Sequence, residues 1–135
     1  LGDMHRRHRS LADLRRVGFI RNGQKGCSPD SLIGDTGLVE IKTQRGDLLI
    51  ETLLKDEFPP AHKAQCMGGL WIAERDYLDI AVFWPRMPLF VKRMYREPAY
   101  ILELSDAVEK FNADLAQLVE KIKAMGYTAP TEQAA

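Results

Sequence analysis

Residues 28–42 read SPDSLIGDTGLVEIK, an acid behind a proline, a turn, and then a second acid with a lysine two places on. Asp30 and Glu40 stand ten residues apart, with Gly34-Asp-Thr-Gly37 between them as the turn. On two adjacent antiparallel strands such residues can sit opposite each other, with β-carbons about 4.5–5.5 Å apart. Two carboxylates that close repel unless a proton or a cation lies between them. Lys42 follows Glu40 by two and so points to the same face. Hard oxygen ligands on a face of mixed charge suit Mg²⁺ or Mn²⁺ better than zinc. Such an ion polarises a phosphate and activates water, and a neighbouring lysine orients that water or stabilises developing charge. Taken as spacing alone, a surface hairpin with an ordinary Glu–Lys pair is the commoner outcome. The neighbours Leu32, Ile33, Leu38, Val39 and Ile41 favour chemistry, because charges in a core hairpin need partners.

These side chains need a scaffold. A short polar helix is predicted over 3–15 on the pair Leu11 and Leu14, then a strand over 17–20. Asn22-Gly23 is a hairpin turn. Strands follow over 27–33 and 38–43, the latter with Leu38, Glu40 and Lys42 on one face and Val39 and Ile41 on the other. A helix over 47–55 turns Leu48, Leu49 and Leu53 inward and stops before Phe58-Pro-Pro60. The next, over 60–74, admits proline in its first turn and carries the recurrence Ala61, Ala64, Gln65, Gly68 and Trp71 or Ile72. Gly68-Gly69 costs about 1 kcal/mol per glycine relative to alanine, which points to close packing on a sheet. Strands over 77–84 and 89–96 precede a helix over 105–125. Ser105 caps that helix, Gly126 ends it, and Val108, Phe111, Leu115, Leu118, Val119 and Ile122 form its buried stripe. Trp71 and Trp84 are core residues by this reading, and 127–135 is a flexible tail. Strands and helices in mixed order give an α/β (α+β) class, with a small mixed central β-sheet flanked by helices.

The 135 residues suit one domain spanning 1–135. The first residue is Leu1, not Met, which fits a processed, tagged or truncated start. No apolar run approaches the roughly 18 residues of a membrane span, and no secretory leader is visible. Cys27 and Cys66 are far apart, so a disulfide framework and structural zinc are not expected and a reducing, cytoplasmic setting is. Net charge is zero but unevenly spread. Residues 1–26 hold Arg6, Arg7, Arg9, Arg15, Arg16, Arg21 and Lys25 against Asp3 and Asp13, a surplus of five cations. A basic segment beside an acidic centre suits a protein that grips a polyanion and holds a cation; a solvated helix face is the plainer reading of the charge alone.

Ser28-Pro-Asp30 followed by Gly37-Leu-Val-Glu40-Ile-Lys42 resembles the PD-(D/E)XK nuclease signature. Ala61-His-Lys-Ala-Gln65, Gly69-Leu-Trp71, Asp79 and Val82-Phe83, with Val17-Gly-Phe-Ile20 ahead of the motif, narrow this. They resemble the phage lambda-type alkaline exonucleases, also called the YqaJ-like viral recombinase family, from about residue 17 to residue 84. The resemblance implies a restriction-endonuclease-like core. It implies Asp30 and Glu40 as metal ligands with the backbone carbonyl of Ile41, and Lys42 as the residue that orients or activates water. Gln65 would help hold the water or Lys42, and His62, one turn earlier, would border the site. DNA phosphates would lie near Arg6, Arg7, Arg9, Arg15, Arg16 and Lys63. The implied activity is Mg²⁺-dependent (or Mn²⁺-dependent) digestion of linear duplex DNA from its ends, 5′ to 3′. Its setting would be phage or prophage recombination, with a single-strand annealing protein as partner and a homotrimeric assembly.

The chain departs from the family pattern at its start. By this resemblance His5 would stand where a metal-binding glutamate belongs and Ser31 where glycine is common, and the family's upstream substrate-clamping part is not expected within residues 1–135. A catalytically weakened or inactive DNA-binding or assembly module on the same scaffold is therefore the alternative. A purely structural role, with the last helix on a partner, is a third.

Overall fold

A computed structural model describes residues 13–128, 130 and 131. His5, Arg6, Arg7 and Arg9, most of the helix predicted over 3–15, and parts of the predicted tail lie outside the described residues. The described chain divides between Ile101 and Leu102 into two compact units.

The first unit is a mixed α/β body. Its strands are β1 (Leu14–Arg15), β2 (Ile20–Asn22), β3 (Lys25–Cys27), β4 (Ser31–Ile33), β5 (Gly37–Thr43), β6 (Tyr77–Phe83) and β7 (Phe90–Tyr95). Helix α1 (Gly46–Lys55), a 3₁₀ turn (Pro60–His62) and helix α2 (Lys63–Ala73) connect β5 to β6. The main sheet has the order β1-β4-β5-β6-β7, and β2 and β3 form a separate ribbon. Strands β5 and β6 are parallel, which is why a long helical crossover joins them; every other pair is antiparallel.

The registers sort the side chains. Leu38, Leu78 and Met94 form one row, Glu40, Ile80 and Lys92 the next, and Lys42, Val82 and Phe90 the third, all on one face. That face holds the core, closed by Leu49 of α1, by Cys66, Met67 and Leu70 of α2, and by Ile101. Gly69 brings α2 within ordinary van der Waals distance of Leu38, as the glycine pair predicts: a β-carbon there would lie 3.6 Å from Leu38 Cδ1. The other face carries exposed Ile41, Phe83, Val91 and Tyr95 around an Asp79–Arg93 pair. Arg93 binds Asp79 through two nitrogens, each at 2.8 Å, and lies 3.9 Å from the centroid of Tyr77.

The second unit is the continuation, from Leu102, of helix α3 (Pro98–Ala124).

Several expectations are corrected. Leu14 and Arg15 form an edge strand, not a helix end, because β4 offers them a ladder. The strand expected over 17–20 starts only at Ile20, and the one over 27–33 is two strands. Both β1–β4 and β2–β3 keep the same register, so 14–33 is one long hairpin with an unpaired middle. Buried Pro29 sits in that gap, where a residue without an N–H cannot extend a ladder. Leu48 faces solvent, and α1 ends at Asp56 in the left-handed conformation, ahead of the prolines. On α2 the buried residues are Cys66, Met67 and Leu70, while Ala61, Ala64 and Gln65 are exposed. Trp84 is exposed; Trp71 is partly buried against the core. The last helix starts at Pro98, where proline at the first helical position is favourable, and Ser105 lies inside it. Phe111, Leu115, Leu118, Val119 and Ile122 are exposed, since their unit contains no second element to receive them among the described residues.

Candidate active site

Asp30 and Glu40 stand at the open end of the β4–β5 ladder. Ser31 pairs with Val39, so in continued register Asp30 lies across from Glu40, one step beyond the end of the β4–β5 ladder. There the Ile41 amide, with no β4 carbonyl left to meet, donates to Asp30 Oδ2 at 2.6 Å. In an extended strand a residue's N–H and C=O share one edge, so the Ile41 carbonyl lies on the Asp30 edge of β5. Asp30 is exposed and Glu40 is only 9% exposed.

Glu40 is held by two neighbours. Lys42 Nζ lies 2.8 Å from Glu40 Oε1, and Gln65 Nε2 donates to the same oxygen at 2.8 Å. Lys42 also donates to Gln65 Oε1 at 3.0 Å. The Gln65 amide therefore bridges acid and base, its nitrogen on one and its oxygen on the other. Strand alternation puts Glu40 and Lys42 on the core face, and α2 crosses that face to deliver Gln65 at the rim. His62 is half-buried at the end of the 3₁₀ turn. Burial lowers its pKa, helped by the charge of Lys42 and opposed by Glu40, which places its ring in their field.

The other predicted contacts fall around this centre. Arg15 is exposed on β1. Arg16 is exposed too and, in continued register, faces Ser31, next to Asp30. Lys63 is engaged elsewhere, 3.1 Å from Glu97 and 5.0 Å from the Tyr100 ring centroid. Among the described residues no three His, Cys, Asp or Glu side chains converge as a metal cluster. The oxygen donors are two carboxylates and a backbone carbonyl, a set that fits a hard divalent cation.

Sequence reasoning missed the Ile41 amide as a partner of Asp30; a backbone group leaves no trace in residue type, and only the register reveals it. It also read Asn22 as turn alone. Asn22 Nδ2 donates to the Ile72 carbonyl at 3.0 Å and fastens the ribbon to α2. The alternation of the ribbon, which turns Asn22 inward, was the available signal.

No protein-family model and no curated protein matches the chain. Solved structures do. The fold is similar to that of an alkaline exonuclease (LHK-Exo) from Laribacter hongkongensis, with TM-score 0.79 and 30% identity over 92% of this chain and 70% of that one. The same enzyme in complex with dAMP matches with TM-score 0.78 and 30% identity, over 92% and 69% of the two chains. A likeness of this extent in both sequence and fold carries the family: this chain belongs to the lambda-type alkaline exonucleases.

Proposed function

We propose that this protein is a DNA exonuclease that hydrolyses phosphodiester bonds of linear duplex DNA with a divalent cation, Mg²⁺ or Mn²⁺. The supporting observation is the convergence of Glu40, Lys42 and Gln65 on the core face of β5, with Asp30 bound to the same strand through the Ile41 amide. Asp30 and Glu40 would hold the cation with the Ile41 carbonyl. When bound, that ion supplies Lewis-acid polarisation of a phosphoryl oxygen and offsets charge in the transition state.

The chain's own groups do the rest. Lys42 brings a cationic donor to the rim of the core, where it can orient an attacking water and stabilise charge that develops on phosphate oxygen. Gln65 fixes the direction of the Lys42 ammonium by accepting from it while donating to Glu40. The water oxygen forms a new bond to phosphorus as the bond to the leaving oxygen breaks in line. Arg15 and Arg16, on the edge beside Asp30, would engage backbone phosphates. The 5′-to-3′ direction, the phage recombination setting, a single-strand annealing partner and a trimeric assembly belong to this reading and rest on family likeness.

Digestion of linear DNA labelled at either end, beside circular DNA, in Mg²⁺ and in EDTA, is the test. Release of label from linear DNA only, and only with Mg²⁺, is expected; equal attack on circular DNA refutes an exonuclease. The Lys42–Glu40 contact also favours a second reading, because an ammonium that neutralises Glu40 competes with a cation. On that reading the protein is a weakened binder, and the same assay yields a salt-sensitive complex without product.

A further inference from the structure

The ribbon β2–β3 has two unlike faces. Ile20, Asn22, Lys25 and Cys27 turn inward and are half-buried. Lys25 Nζ lies 4.8 Å from the centroid of Trp71, and Asn22 holds the Ile72 carbonyl, so this face is fastened to α2. Arg21 and Gly26 turn outward. Phe19, next along the same outer face, is 68% exposed. Its ring fills the space that a side chain at residue 26 would take; a β-carbon on Gly26 would overlap Phe19 Cζ. Glycine at 26 thus lets the ring rest on bare backbone.

The arm that carries the ring is joined to the arm that leads to Asp30. Ser28 Oγ donates to the Gly18 carbonyl at 2.6 Å, linking the residue before Phe19 to the residue two before Asp30. Arg21 lies two residues on, on the same outer face, with its Nε donating to the Gly23 carbonyl at 3.1 Å, and Arg15 and Arg16 precede Phe19 on the same hairpin arm. Arg15, Arg16 and Arg21 are exposed, and among the described residues no carboxylate pairs with them. A supported aromatic ring open to water, on a hairpin arm that also carries exposed arginines, supplies the two features that hold a nucleic-acid strand: a stacking surface and phosphate donors. Phenylalanine has no N–H or O–H with which to read a base edge. That suits an enzyme that must accept every base in turn.

We propose that Phe19 is a stacking platform for a base of the DNA strand entering the active site, with Arg21, Arg15 and Arg16 on the adjoining phosphates. The proposal deepens the nuclease reading and rests on it for the identity of the strand.

The probe is short DNA carrying 2-aminopurine at a terminal base, titrated at low salt in EDTA so that no cleavage intervenes. Wild-type protein should quench the fluorescence on binding. Phe19→Ala and Phe19→Leu should bind about ten-fold more weakly and leave the probe bright, whereas Phe19→Trp should bind and quench. Phe19→Leu keeps apolar bulk over Gly26, so it answers the question if Phe19→Ala does not fold; circular dichroism reports that. Wild-type affinity and quenching in Phe19→Leu overturn the proposal, because packing alone would then be the role. Absence of quenching by the wild type overturns it too. Digestion in Mg²⁺ keeps the two readings apart. Quenching without any product refutes the nuclease and leaves the platform, while normal binding and cleavage by Phe19→Leu do the reverse.

Discussion

Glu40 is the residue around which the site is organised, since Lys42 and Gln65 both end on one of its oxygens. Glu40→Gln or Lys42→Ala should abolish cleavage while circular dichroism and melting behaviour stay near wild type. Gln65→Ala is expected to act differently. Lys42 keeps its contact with Glu40 but loses its second anchor, so kcat should fall about 100-fold with KM little changed, read in steady-state digestion. Ile41 contributes through its backbone, and its side chain points to the exposed face. Ile41→Val should therefore leave activity intact, whereas an amide-to-ester replacement that deletes the Ile41 N–H should impair it. Cys66 predicts a pH effect. Burial pushes its thiol up to about 11, with Glu40 adding and Lys42 opposing. The fold keeps this thiol neutral while the unfolded chain ionises it above the ordinary thiol value of about 9. Stability should then be lost as pH rises from about 9 toward about 11, by around 2 kcal/mol. Urea denaturation across that range, beside Cys66→Ala with its shallower pH dependence, is the check.

At the scale of elements, β5 was the most legible part of the chain. Its alternation, the turn before it and the facing of Glu40 and Lys42 all follow from a period of two. Gly37, at its start, lies under the Tyr77 ring, and a β-carbon there would come within 2.5 Å of Tyr77 Cζ and push the ring aside. Gly37→Ala should cost about 1–3 kcal/mol of stability in chemical denaturation. The 27–33 segment was less legible because the same residues serve two sheets. One register runs through both halves of the hairpin, and the gap at Pro29 is a tertiary fact: the outer half leaves the main sheet to pack on α2. Helix α2 showed its length but not its buried side. Cys66, Met67 and Leu70 compete with Trp71 and Ile72 for the inward position, and close approach at Gly69 decides for the first set. The start of α3 was missed because Glu97-Pro98 reads as a strand's end, although Tyr100 and Ile101 just beyond it pack on the core.

For the whole molecule, the charge surplus in residues 1–26 is the feature that composition alone conceals, because the total is zero. Arg15→Ala and Arg16→Ala should each reduce the slope of log affinity for DNA against log salt by about one, across all sequences alike. Equal slopes in mutant and wild type would remove these arginines from the DNA path. The core lies on one side of the sheet, and the site stands on that side too. Along β5 exposure rises from none at Leu38 to 9% at Glu40, and the Lys42 side chain reaches 24%. That gradient bears on folding fidelity. A one-residue slip of β5 would turn the acid and the lysine away from Gln65 and bury the wrong set. A two-residue slip would preserve the alternation but drive the glutamate into the sealed slot of Leu38 and the lysine into the glutamate's place, stranding charge without compensation. The ionic pair thus proofreads strand alignment, and a misthreaded copy forfeits its structure together with its chemistry.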